Sequence, residues 1–186
     1  MVIEFYSPTN AYGAFSNFSK HSVRLDGKTW PTSEHYFQAM KFEGTIHERM
    51  VRIAYSAGEA ARIGRDRGNP LRKDWESVKN NIMRKAVYAK FTQHDDLREL
   101  LLSTGDKKLV EHTERDSYWG DGGDGSGKNM LGVILMETRT RIRIEDKIDA
   151  WHEAETSLLL HEWLGMSRSE YALFVENHPV DEALSH

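Results

Sequence analysis

Val23-Arg24-Leu25-Asp26-Gly27-Lys28-Thr29-Trp30-Pro31-Thr32-Ser33-Glu34-His35-Tyr36-Phe37-Gln38-Ala39-Met40-Lys41 changes its structural period partway along. Two short alternating runs flank Asp26-Gly27, a dipeptide suited to a tight turn, so residues 23–30 read as a β-hairpin. Pro31 then stops the strand, and Thr32-Ser33 opens a helix holding Glu34, Phe37, Gln38 and Lys41. Glu34 and Gln38 are four apart and Lys41 lies three further on, so the three share one helix face. Phe37 and Met40 are expected on the other side. An exposed polar stripe is the ordinary fate of such residues. A carboxylate in the first turn after an aromatic hairpin is instead well placed in a cleft, where desolvation raises its pKa into general-acid range.

Outward from this segment, Ile3-Glu4-Phe5-Tyr6 alternates as a short strand, and residues 7–18 form a loop anchored by Phe15 and Phe18. Thr45-x-x-Glu48 and Ser56-x-x-Glu59 are capping boxes opening two short helices. Asp74 is expected to cap a long helix through Phe91 with Val78, Ile82, Ala86 and Ala89 along one face, and Leu97, Leu100 and Leu101 mark another. Leu109 to Thr113 reads as a strand, and Met130 to Ile144 as a helix with Leu131, Ile134, Leu135 and Thr138 inward. The fold class is therefore α+β, a helix-dominated single domain around a small β-sheet. Residues 146–186 read as a separate C-terminal helical extension on a 1–145 body. One helix spans Ala150 to Leu164, Gly165 breaks it, and Ser167-x-x-Glu170 caps a second.

At 186 residues the chain suits one core with an appendage. The net charge of −4 conceals an asymmetry. Residues 146–186 carry nine acids against Lys147 and Arg168, leaving 20 acids and 23 bases, or +3, on residues 1–145. A mildly basic body suits a phosphorylated ligand, and +3 is too little for tight non-specific binding to duplex DNA. No apolar run approaches membrane-spanning length, and Met1-Val2-Ile3-Glu4 is not a signal peptide. The chain has no cysteine, which excludes disulfides and thiolate metal sites and fits a cytoplasmic protein.

Tyr118-Trp119-Gly120-Asp121-Gly122-Gly123-Asp124-Gly125-Ser126-Gly127-Lys128-Asn129 is the other informative stretch. Each glycine raises the entropy lost on folding, so the loop is expected to serve backbone freedom or close approach to a ligand. Gly122-x-x-x-x-Gly127-Lys128 nearly spells a P-loop, but Asn129 stands where Ser or Thr is needed and no buried apolar strand precedes it. Asp121 and Asp124 lack the alternating ligands of an EF-hand. His161-Glu162-x-x-Gly165 lacks the second histidine of a zinc protease. Neither metal nor cofactor has positive support. Arg62, Arg65, Arg67, Arg72 and Lys73 form the densest basic cluster, equally readable as solvated surface or as phosphate recognition. Of the histidines, His35 beside Glu34 stands out; His94 and His112 are most economically structural.

In order along the chain, Phe15-Ser16-Asn17-Phe18, Trp30-Pro31-Thr32-Ser33-Glu34-His35-Tyr36-Phe37-Gln38-Ala39 with Lys41, Gly64-Arg65-Asp66-Arg67, Pro70-Leu71-Arg72 with Trp75-Glu76-Ser77-Val78-Lys79, Leu109-Val110-Glu111-His112-Thr113-Glu114 and Tyr118-Trp119-Gly120-Asp121-Gly122-Gly123 with Gly127-Lys128-Asn129 resemble the NADAR family, in its YbiA-like branch. The likeness covers about residues 3–145. The resemblance implies an N-glycosidase that splits ribose C1 from an exocyclic amine. YbiA-like members are associated with phosphoribosylamino-pyrimidine intermediates of riboflavin synthesis, releasing ribose 5-phosphate, and others with removing ADP-ribose from guanine bases of DNA or RNA. A non-catalytic ADP-ribose-binding module is a further alternative.

On that reading Glu34 is the candidate acid/base and Lys41 or Lys28 the amine of a Schiff base. In direct hydrolysis, Glu34 or Asp121 would instead orient water. Phe18, Trp30 and Trp119 are expected to stack on the base. Gly120, Asp121, Gly122, Gly123, Lys128 and Asn129 are expected to hold ribose and phosphate. Asn17 and Gln38 complete the candidate binding set, with Arg65 and Arg72 as further phosphate candidates. The expected partner is a phosphorylated ribosyl or nucleotide-like small molecule, ADP-ribosylated nucleic acid being the alternative. No membrane is expected, and a protein partner is open for the acidic extension.

Overall fold

The computed structural model describes residues 1–177. Among them the chain forms four strands and eight α-helices in two compact units, one spanning Met1–Arg139 and the other beginning at Thr140. The first unit opens with β1 (Val2–Phe5), followed by the hairpin β2 (Val23–Leu25) and β3 (Lys28–Trp30). Helices α1 (Ser33–Ala39), α2 (Ile46–Arg52), α3 (Ala57–Arg65), α4 (Trp75–Thr92) and α5 (Asp95–Ser103) come next, then β4 (Lys108–Glu111) and the start of α6 (Met130–Glu153). Rather than one sheet there are two pairs. β2 and β3 are antiparallel, with Val23 opposite Trp30. β1 lies parallel to β4, with Phe5 opposite Glu111. A parallel pair needs a long crossover, and the five helices between β1 and β4 supply it.

Local signals explain the boundaries. Thr32 caps α1 by accepting from His35 N, and Ser56 caps α3 by accepting from Glu59 N. Asp74 precedes α4 without capping it, because its carboxylate is taken by the Arg72 guanidinium at 2.7 and 2.9 Å. On α4, Ala86 and Ala89 are buried as expected, but Val78 and Ile82 are only half-buried; Met83, Val87 and Phe91 complete the inward face. The core joins Phe5, Phe15 and Phe91, stacked at centroid distances of 5.6 and 5.8 Å, with Leu101, Leu109, Leu131, Ile134 and Leu135.

In the second unit the boundaries expected from sequence shift. Residues 150–164 are not one helix: α6 continues to Glu153, and a separate α7 covers Leu160–Trp163. No glycine or proline interrupts residues 133–164, so nothing stops α6 near position 145. It ends where Thr156 Oγ1 accepts from Leu158 N and Trp151 Nε1 donates to Leu158 O, both side chains capturing backbone groups. Gly165, at φ 73°, closes α7, and Ser167 and Glu170 form the reciprocal capping box of α8 (Arg168–Asn177). Among the described residues no helix is long and apolar enough to cross a membrane.

Candidate active site

The ends of β1 and β4 open on one side of the first unit, beside α1 and the start of α4. There lies a cavity of about 760 Å³, within the range of small-molecule sites. Residues just beyond β1 (Tyr6, Ser7, Pro8) and at the end of β4 (Glu111, Thr113) line it, so the site sits at the carboxyl ends of two parallel strands.

Helix α1 and the turn after it supply one polar face of the cavity. Glu34, Phe37, Gln38 and Lys41 all line the cavity. This corrects the expected placement of Phe37: three residues from Glu34, it shares that carboxylate's side of the helix. Nor is the stripe exposed. Glu34 retains 5% of its surface and Gln38 3%. The helix start is braced from the loop before it, since Asn17 O accepts from Glu34 N at 3.1 Å and Asn17 Oδ1 from Ser33 Oγ at 3.0 Å. That loop is itself held by Lys90, whose buried ammonium donates to Ala14 O, to Ser16 O and to Ser19 Oγ.

Electrostatics follow from this burial. Desolvation pushes the Glu34 carboxyl above the usual carboxylate range; the hydrogen bond from Gln38 Nε2 at 2.8 Å and the Arg65 and Lys41 charges oppose it only in part. Burial pulls the Lys41 amine down to about 8 against the opposing charge of Glu34, with Arg65 adding to the fall. Lys41 Nζ donates to Gly64 O at 2.9 Å, which leaves two further donor positions, and lies 5.5 and 5.8 Å from the Trp75 and Phe37 ring centroids. Glycine is obligatory at position 64: a Cβ there would stand 2.0 Å from Gln38 Oε1.

The structure sorts the other sequence-derived candidates. Asn17, Phe18, Arg65 and Trp119 line the same cavity. Trp119 meets Phe37 edge to face at 5.2 Å, and Phe37 meets Trp75 at 5.1 Å, giving an aromatic wall suited to a flat ring. Trp30 is not part of it. It is fully buried, with Nε1 donating to Leu25 O and its ring against Tyr36, because it closes the hairpin core. Lys28 also lies off the lining, paired at 2.5 Å with the Glu48 carboxylate. Arg72 is held by Glu43 and Asp74 at a separate depression. His35 is structural, its ring nitrogens engaged by Thr32 Oγ1 and Ala54 O.

The glycine segment departs most from expectation. Tyr118 and Trp119 reach the cavity, but Gly120, Asp121, Gly122, Gly123, Lys128 and Asn129 are absent from its lining. Their hydrogen bonds go to the chain itself. Asp121 N donates to Glu111 O, Gly127 N to Asp121 O, Lys128 N to Ser117 O and Asn129 N to Gly120 O. The Asp121 carboxylate accepts from Thr113 N, Gly123 N and His112 Nδ1, and is held down to about 2 by the last three bonds against desolvation. Asn129, at φ 50°, accepts from Glu111 N and donates to Leu109 O. Gly120 lets the loop lie against β4, where a Cβ would meet Thr113 Cγ2 at 2.5 Å and Glu111 O at 2.8 Å. Lys128 rests over the Tyr118 ring at 5.0 Å. The segment is thus a brace for the end of β4.

Several lining residues escaped the sequence reading: Glu111, Thr113, Arg115, Asp116, Trp75 and Lys79. Glu111 was legible in principle, as the polar residue ending an apolar strand. Asp116 accepts from both Tyr118 N and Trp119 N at 2.8 Å and so aims the aromatic pair. Lys79 lies over Tyr118 at 4.0 Å and pairs at 2.5 Å with the exposed Glu76 carboxylate, and among the described residues neither Arg65 nor Arg115 is held by an ion pair.

Comparison with known proteins agrees in extent with the first unit. The N-glycosidase YbiA of Escherichia coli (strain K12) is 59% identical over 144 residues, covering 77% of this chain and 90% of that protein. Its NMR structure superposes with a TM-score of 0.73, covering 78% of this chain and 86% of the other. The chloroplastic riboflavin biosynthesis protein PYRR of Zea mays is 44% identical, over 76% of this chain and 25% of that protein. The NADAR domain pattern matches residues 4–143, three-quarters of the sequence and all the cavity-lining residues, and on that evidence the chain belongs to the NADAR family.

Proposed function

We propose that this N-glycosidase cleaves the bond between ribose C1 and an exocyclic amine, as in phosphoribosylamino-pyrimidine intermediates of riboflavin synthesis, releasing ribose 5-phosphate. The observation that carries it is the presence of a buried carboxyl, Glu34, and a half-buried amine, Lys41, on the lining of one aromatic-walled cavity. Burial raises the Glu34 pKa and lowers that of Lys41 to about 8, which moves each toward the state needed in an acid and in a nucleophile. Glu34 protonates the ribose ring oxygen, the ring opens to an iminium at C1, and the Lys41 amine adds there. Loss of the base amine leaves a lysine imine, which water hydrolyses. Arg65, Arg115 and Lys79 supply positive charge for the phosphate.

A second reading, removal of ADP-ribose from guanine, is favoured by the cavity volume and by three basic side chains on its wall besides Lys41, more than one phosphate needs. A single preparation assayed against a phosphoribosylamino-pyrimidine and an ADP-ribosylated guanosine oligonucleotide separates the two. Release of ribose 5-phosphate from the first alone is the expected result. Turnover of the oligonucleotide alone would replace the proposed substrate, and turnover of neither would sink the reading.

A further inference from the structure

A second carboxyl faces the cavity from the strand side, and it stands outside the Glu34–Lys41 chemistry. Glu111 ends β4 and lines the same hollow. Its main chain is clamped on both sides by the glycine segment, with N donating to Asn129 Oδ1 at 2.9 Å and O accepting from Asp121 N at 2.9 Å. Such bracing aims a side chain; it is what a reacting group needs and a solvated surface glutamate does not. Yet among the described residues no side chain donates to the Glu111 carboxyl, although it is half-buried. Lys41, Arg65, Lys79 and Arg115 line the same cavity, but the charged groups that act on the Glu111 carboxyl are Glu34 on α1 with Asp116 and Asp121 on the loop, all acidic. An ionised Glu111 is opposed by each of them, and burial acts in the same direction, so its pKa is pushed up to about 8.

We propose that Glu111 is a second catalytic residue, the acid that protonates the departing exocyclic nitrogen and the base that then activates water. This rests on the N-glycosidase reading and deepens it. In the adduct of Lys41 with C1, the bond from C1 to the exocyclic nitrogen breaks and its electron pair leaves with nitrogen. The Lys41 nitrogen first passes the proton it gained on addition to the Glu34 carboxylate; Glu111 then protonates the exocyclic nitrogen, so the base departs as a neutral amine while the freed Lys41 lone pair forms the protonated imine. Water then adds to C1 and the Glu111 carboxylate takes its proton, which restores the acid. Glu34 serves the ring oxygen and the lysine nitrogen: it protonates the first on opening, takes the lysine proton from the adduct, returns it as the lysine leaves, and recovers its own from the product carbonyl. Two carboxyls that cannot both ionise cheaply thereby divide the proton transfers.

Leaving-group dependence tests the assignment without depending on the natural substrate. The probes are ribosylamine 5-phosphates of substituted anilines, from 4-methoxyaniline to 4-nitroaniline. A weakly basic amine departs without prior protonation, so Glu111→Gln is expected to lose about 1,000-fold in kcat on the methoxyaniline compound but only about tenfold on the nitroaniline one, within the span of general acid catalysis. Glu111→Ala, checked for an unchanged melting temperature, should recover methoxyaniline turnover when formate is added. Equal loss across the series, or no rescue by formate in the folded protein, overturns the role of Glu111 and leaves the N-glycosidase reading standing. Wild-type protein inert toward every compound would remove that reading, and this assignment with it.

Discussion

Helix α1 with its following turn, and the glycine segment from Tyr118 to Asn129, are both dense in polar residues, and they use them in opposite ways. On the cavity side of α1 and its turn, polar groups are left short of partners: among the described residues Gln38 Oε1 has none, and the half-buried Lys41 donates one hydrogen bond of a possible three. In the glycine segment Asp121 and Asn129 spend their side chains on β4 and on the loop itself. Buried polar groups left short of partners are costly to keep, so they mark where a ligand completes the bonding. Satisfied ones mark scaffolding. The conspicuous loop braces β4, and the plain helix lines the cavity.

Substitutions on the two segments should therefore separate activity from stability. The largest effect is expected from Glu34→Gln, which keeps the shape and the Gln38 contact but removes the proton; kcat should fall about 1,000-fold with ligand affinity within a few-fold. A variant turning over like wild type would break the comparison at its strongest point. Lys41→Met should lower kcat about 100-fold and abolish the adduct that borohydride traps on the wild-type lysine, read by mass spectrometry. Active wild-type protein that yields no trapped adduct would favour direct hydrolysis. In the free protein, Lys41 acylation should rise with pH through about 8, because its folded-state pKa is lowered and the neutral amine grows above that value.

On the loop side the expected effects are on stability. Asn129→Gly suits the positive φ yet deletes two hydrogen bonds to β4, and should cost about 2 kcal/mol in urea unfolding. Asp121→Asn should act through pH. The Asp121 pKa is lowered on folding to about 2, so its contribution is present above the unfolded value of 3.8 and lost as pH falls from there to about 2. His112 is raised by the same contact, so its contribution is present below 6.5 and lost as pH rises through the folded value. Melting temperatures of the variant should flatten in both windows. The smallest effect is expected from Lys128→Ala, with KM changed less than about twofold, whereas Lys79→Ala on the lining should raise it about tenfold. The reverse order would return phosphate binding to the glycine segment.

Local pattern was enough to read much of this protein from its chain. The Asp26-Gly27 hairpin, the Thr32 and Ser56 caps, the inward stripe of Leu131, Ile134, Leu135 and Thr138, and the shared face of Glu34, Gln38 and Lys41 depend on neighbours three or four residues away. Only the folded structure could decide which charges survive as free groups. Lys28 is paired with Glu48 and Arg72 with Glu43 and Asp74, while the Asp121 carboxylate is hydrogen-bonded to His112, and each partner is chosen by packing. The same holds for Trp30, drawn into the hairpin core, and for Glu111, which joins Glu34 on one cavity lining because β4 pairs in parallel with β1 across about a hundred residues of chain. Periodicity is written in adjacent residues. Desolvation and charge pairing are set by groups distant in sequence, so they appear only once the chain has closed on itself.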